Sequence, residues 1–242
     1  MKKPDLKRSR SPRAAGRAGS SPTARPRRAR AAAGASEETP YHHGALRDGL
    51  LEAAERVLER DGLAGLTLRA VAREAGVSHA APTHHFGDLA GLLSELAAIG
   101  FRRFSAAMAA ASAAAAMPME KGMASAKAYV RYALAHPGMY GLMFRTERLD
   151  MTRPSLREAA DASFAGFAGG VGDYRQEQIS TETLTLQQAG ALTHAWSLVH
   201  GFTTLLLDGR LAKILKRLPE GTDAETLLVA MLMSSVGRPP GH

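Results

Sequence analysis

The sequence predicts an all-α fold, a small three-helix unit containing a helix-turn-helix followed by a longer helical region. Three observations carry that expectation. Apolar residues recur at steps of three and four from Leu46 onward, the period of a helix with one buried face. Strand-like alternation is missing along the sequence. Residues 67–88 also crowd several helix-capping signals into about twenty positions, the punctuation of helix, turn and helix.

The elements follow in order. Leu46, Leu50, Leu51, Ala54, Val57 and Leu58 form one apolar stripe, which Asp61-Gly62 ends. Thr67 stands where an N-cap is wanted, ahead of Leu68, Val71 and Ala72, and Gly76 supplies the left-handed position that closes the second helix. Val77 reads as the buried residue of a tight turn and Ser78 as the N-cap of a third helix running to about His85. Pro82 then falls at the fourth helical position, where it removes a backbone donor and biases Ala81 away from helical torsions, so this helix is expected to start loosely. From Asp88 a long fourth helix turns Leu89, Leu92, Leu93, Leu96, Phe101, Phe104 and Met108 inward. Beyond Pro118 breaks are expected at His136-Pro137-Gly138, between Asp150 and Pro154, from Gly169 to Gly172, and from Leu218 to Gly221. In the segment Leu192 to Leu207 two apolar faces flank a seam of Ser197, Gly201 and Thr204, so one face can line a core while another packs on a second helix. The last segment, Leu227 to Val236, is apolar almost all round and has to be covered on several sides, as a partner subunit would do.

A chain of 242 residues, 45% hydrophobic, can build a real core. Without cysteine it has no disulfides, no cysteine-ligated zinc and no thiol catalysis, and it suits a reducing cytoplasm. The net charge of +8 sits entirely in residues 1–40, where eleven Lys and Arg face three acids. That segment interleaves Arg with Pro, Ser, Gly and Ala and is read as a disordered basic tail. Pro4, Pro12, Pro22 and Pro26 interrupt the amphipathic helix that a transit peptide would need. The charge-free stretch Phe104 to Met119 is too short and too weakly apolar to cross a bilayer, so no membrane partner is expected.

The run Leu66-Thr67-Leu68-Arg69-Ala70-Val71-Ala72-Arg73-Glu74-Ala75-Gly76-Val77-Ser78, with His85-Phe86 and Leu92-Leu93 after it, resembles the tetracycline-repressor (TetR) family of bacterial regulators. The resemblance spans residues 41 to about 104. Ala135-His136-Pro137 leading to Met139-Tyr140-Gly141-Leu142-Met143-Phe144, together with Trp196 and His200-Gly201, resembles the ligand-binding subtype marked by a Trp and a His-Gly pair. The resemblance implies a helix-turn-helix DNA-binding domain over 41–104, with its motif at about 67–86, and a helical effector-binding and dimerisation domain over 105–238. It also implies a homodimer paired through the last two helices, a ligand-responsive repressor rather than an enzyme. Two positions depart from the family pattern. Thr83 stands where many members carry Tyr, and Leu89 where many carry Lys, so some usual contacts to the DNA backbone should be missing.

On this reading the partner is a double-stranded DNA operator. The third helix enters the major groove with His79, Ala80, Thr83 and His84 at base edges. Thr67, Ser78 and Arg69 serve phosphates, Pro82 shapes the helix start within the same contact set, and Tyr41 and His42 lie near an adjacent minor groove or the backbone. His85 is kept in that set, although it and Phe86 read first as closing the small core. Residues 41–93 carry five Arg against seven acids, so the basic tail is expected to supply much of the salt-sensitive affinity.

Phe104, Met108, Tyr140, Met143, Phe144, Trp196 and His200 are candidate lining for a cavity that takes a small, mainly apolar effector. Met139, Phe164 and Phe202 are further candidates, and core is the plainer role for any one of these residues. His42, His43, His84 and His85 invite a metal reading, but neighbours on a short helix diverge by about 100° and no third ligand stands at helical spacing, so no metal or cofactor is expected. No nucleophile elbow, phosphate loop or metal triad supports catalysis. The competing binding class is a nonspecific architectural DNA-binding protein whose helical body only dimerises.

Overall fold

The computed structural model describes the backbone of residues 41–235 and the side chains of residues 44–234. The basic segment 1–40, the groove-facing side chains expected of Tyr41 and His42, and Val236 lie outside these described residues. Every regular element among them is helical. The all-α fold is thus as the sequence predicts, with a helix-turn-helix unit followed by further helices.

Helix α1 spans Tyr41–Gly65 and is interrupted at Gly62, whose φ of 67° is the left-handed turn that Asp61-Gly62 signals. Helix α2 spans Leu68–Glu74 and starts on Thr67, whose hydroxyl oxygen accepts from the Ala70 N–H at 3.1 Å. Gly76 takes φ 68° after it. Helix α3 is Ala81–Phe86, shorter than the sequence reading. Ser78 does not cap it. Instead the Ser78 carbonyl accepts from Ala81 N–H at 3.1 Å in a separate turn, and Pro82 falls in the first turn of the helix, where its missing donor has no intrahelical partner to lose. The proline that looked like an interruption therefore sets the start.

Helix α4, Leu89–Ala113, begins on Asp88, whose side chain accepts from Gly91 N–H at 2.8 Å. It runs unbroken past Phe104, so the passage between the first three helices and the rest lies inside one helix. Helix α5 (Pro118–Ala135) and α6 (Pro137–Met143) meet at the expected His136-Pro137 break, and a 3-10 turn over Thr146–Arg148 leads to α7, Pro154–Arg175. The break expected from Gly169 to Gly172 does not occur, because α7 continues through it. Gly172 is there for closeness: a Cβ on it would lie 2.6 Å from the Glu177 carbonyl oxygen. Helix α8, Leu186–Leu207, opens with reciprocal bonds between Thr185 and Gln188. The short α9, Ala212–Leu215, and α10, Ala224–Ser235, follow.

The core is continuous. Leu50 and Leu58 of α1, Leu66 of the link that follows it, Val71 of α2 and Phe86 of α3 join Leu92 and Leu96 of α4, and through them Met139, Leu142 and Leu156. Each fully buried side chain of this size contributes roughly 1.5–3 kcal/mol. Helix α4 packs along α5, α6 and α7, and α1 rests on both α2 and α6.

Candidate DNA-binding surface and effector cavity

The helix-turn-helix is held from behind by ion pairs. Glu74 at the end of α2 receives Arg56 at 3.0 Å and Arg60 at 2.9 Å, both from α1, and these two guanidiniums keep its carboxyl below the usual carboxylate range. The pairs are exposed and their individual worth is small, but they fix the angle between α1 and α2 from two points. On the outer side Thr67, Arg69, Ser78, His79, Ala80, Thr83 and His84 are all exposed at the surface. Pro82 is not among them: it is buried, so of the expected DNA-facing set it turns inward and supports the helix instead of meeting a groove. His85 is half-buried between His84 and Phe86. Phe86 is 1% exposed, with the Arg47 guanidinium 5.5 Å from its ring centre.

The second site is a cavity of about 650 Å³ among the later helices. Its wall is drawn from Met108 and Ser112 of α4, Met123 and Tyr129 of α5, Phe167, Val171 and Tyr174 of α7, Leu198 and Val199 of α8, and Leu232 of α10. Lys121, Asp173, Arg175 and His194 add charge and polarity to a mainly apolar lining. Among the seven principal lining candidates, Met108 alone reaches this wall. Phe104, Tyr140 and Met143 are buried beside it, and Trp196, 44% exposed, lies on the outside of α8. The displacement has a simple cause. The α8 wall uses Ala191, His194, Ala195 and Leu198, a helical stripe turned by about 150° from Trp196.

Phe104, Tyr140, Phe144 and His200 instead build a polar-centred aromatic cluster behind the cavity. Tyr129 and Tyr140 place their hydroxyls 2.8 and 2.9 Å from His200 Nδ1, and 3.3 Å from each other. Phe144 and Phe104 pack edge-on against His200 and Tyr129. Burial pushes both phenols up and lowers His200, so the ring is neutral and the geometry suits an unprotonated Nδ1 that accepts a hydroxyl proton. Tyr129, unread in the sequence, is the one residue of this cluster that also lines the cavity. Its clue was periodicity: Ala126, Tyr129 and Val130 repeat at three and four on α5.

Residues 50–96 match the family model described as bacterial regulatory proteins of the tetR family, and residues 123–232 match the model described as a tetracyclin repressor-like C-terminal domain. The chain belongs to the tetracycline-repressor family. It is thereby a DNA-binding transcription regulator by family. Among solved structures, a protein of unknown function from Rhodococcus sp. RHA1 is 35% identical, with a TM-score of 0.64 over 81% of this chain and 96% of that one. A TetR family transcription regulator from Marinobacter aquaeolei VT8 is 16% identical at a TM-score of 0.54, covering 81% and 98%. PfmR, a TetR family transcriptional regulator from Thermus thermophilus, is 20% identical at 0.51, covering 75% and 93%. The last two share the fold. No curated protein matches the chain.

Among the described residues no group of three His, Asp or Glu could hold a metal ion, and no helix is long and apolar enough to cross a membrane.

Proposed function

We propose that the protein is a ligand-responsive repressor that binds a double-stranded operator as a homodimer. The observation that carries this reading is the course of α4. The helix starts within three residues of the end of α3, and its far end puts Met108 and Ser112 into the cavity wall. A small, mainly apolar effector there favours a dimer whose recognition helices no longer match half-sites roughly 34 Å apart.

Base readout falls to His79, Ala80, Thr83 and His84, and phosphate contact to Thr67, Ser78 and Arg69, all of them at the surface. The basic segment before residue 39 adds sequence-independent affinity. Trp196 and His200-Gly201 support reading the second domain as the Trp and His-Gly subtype. Pairing runs through α8 and α10: Leu205 and Met233 are 42% and 49% exposed, and a Cβ on Gly201 would meet nothing within 4 Å. That small-residue seam has room for another helix.

Selection of bound duplexes from a random pool by the full chain tests the DNA reading. Enrichment of one palindromic site supports it, and uniform binding gives the architectural alternative instead. Sedimentation of the chain and of Leu205→Glu tests the dimer; a wild-type monomer at micromolar concentration would sink it. Removing residues 1–38 should flatten the dependence of affinity on salt, and an unchanged slope would rule out the tail.

A further inference from the structure

The end of the recognition helix is held by a residue from far along the chain. Arg153, immediately before α7, donates through one guanidinium nitrogen to the carbonyl of Phe86, the last residue of α3, at 2.6 Å. The same guanidinium lies 3.8 Å from Glu95 on α4 and 3.6 Å from Asp150. Glu95 in turn receives Arg47 of α1 at 2.5 Å and the Ser155 hydroxyl of α7 at 2.8 Å. A cation at a helix C-terminus satisfies a carbonyl that has no partner within the helix and opposes the helix dipole. Arg153 therefore does for α3 what a cap within the chain does elsewhere.

A second, independent observation shows that the space is kept for it. A Cβ built on Gly91 would collide with both the Phe86 carbonyl oxygen and the Arg153 guanidinium. Gly91 lies in the first turn of α4, where alanine is the better helix former. Glycine there gives up helix stability and leaves room for the contact between Arg153 and Phe86.

The clamp is also one bond short. Arg153 Nε is buried and meets the Asp150 carboxylate only as an ion pair at 3.6 Å, too long for a good hydrogen bond. Arg153 heads α7, whose far end walls the cavity with Phe167, Val171 and Tyr174. The helix between is 22 residues, about 33 Å of continuous rod.

We propose that Arg153 is a positioning residue for DNA recognition, clamping the C-terminal end of α3 to α4 and tying it to the helix that bounds the cavity. The inference rests on the DNA-binding reading above and deepens it. Its test uses the full chain and the variants Arg153→Met, Arg153→Lys and Gly91→Ala, with two readouts. Hydrogen exchange of amides 81–92 reports the clamp without DNA. Affinity for a duplex selected by the wild-type chain, set against a mixed-sequence duplex, reports recognition.

Arg153→Met and Gly91→Ala should raise exchange in α3 at least tenfold while α5 and α6 keep theirs. They should weaken the selected duplex at least tenfold and change mixed-sequence binding less than twofold. Arg153→Lys should fall between, since an ammonium keeps the charge and loses the fork. Unchanged exchange in Arg153→Met overturns the proposal, as does raised exchange with unchanged affinity for the selected duplex. If the wild-type chain enriches no sequence, the DNA-recognition reading fails and the proposal fails with it, while exchange still shows whether the clamp exists. Should Gly91→Ala fail to fold, Arg153→Met decides alone.

Discussion

Around α1 to α3 the interior is closed, with Leu50, Leu58 and Val71 at 0% exposure and Phe86 at 1%. Around α8 and α10 it is not: a cavity of about 650 Å³ stands inside, and Trp196, Leu205 and Met233 are 42–49% exposed outside. The two regions share α4 and one continuous core, so both belong to one folded body, and the difference fits the two roles proposed for them. A surface that reads base edges has to hold side chains in fixed positions, which dense packing does. A surface that binds a small molecule or a second subunit has to leave apolar area uncovered until the partner arrives.

The sharpest way to break that contrast is truncation on each side of it. Leu58→Ala should cost about 2–5 kcal/mol, because the closed core cannot collapse onto the space left behind. Leu198→Ala, beside space that is already empty, should cost less than about 1.5 kcal/mol. Urea denaturation at equal protein concentration measures both, and equal losses would contradict the comparison. Filling the cavity comes next. Ala195→Phe points a ring into the wall of α8 and should reduce binding of an apolar dye at least tenfold while leaving DNA affinity within about twofold, readable by titration.

A smaller effect is expected at the turn inside α1. Gly62 holds φ 67°, and Gly62→Ala should cost about 1 kcal/mol in thermal unfolding from backbone strain with no contact removed. The mildest prediction is the acid response of the aromatic cluster. His200 is held below its usual 6.5 by burial, so the unfolded chain takes up the proton first. The resulting stability is full above about pH 6.5 and is lost as the pH drops from there toward the folded-state value. His200→Gln keeps an acceptor for the tyrosine hydroxyls and removes the titration, so its denaturation midpoint should vary less between about pH 7 and about pH 5 than that of the wild type.

What could be read from the sequence follows the same division. Thr67, Gly76, Asp88 and Gly62 were legible because capping and left-handed turns are decided within three or four residues. The start of α3 was misplaced toward Ser78, which offers a capping oxygen that the chain does not use. Gly169 to Gly172 looked like a break, but there a glycine allows the close approach of Glu177 from the following turn. The cavity was shifted by one helical face from Trp196 and His200. Arg153 gave no local signal at all. Its carbonyl partner is 67 residues away, and no periodicity within α7 or α3 encodes that meeting.

Trp196 is the chain's only tryptophan, and its ring lies at the margin of the exposed face of α8, 6.2 Å from His200 and 6.5 Å from Phe167. An indole half in water emits at longer wavelength than one sealed in an apolar interface. The intrinsic fluorescence of the unlabelled protein therefore reports from this one face, and dilution through the proposed pairing equilibrium is expected to show as a change of colour.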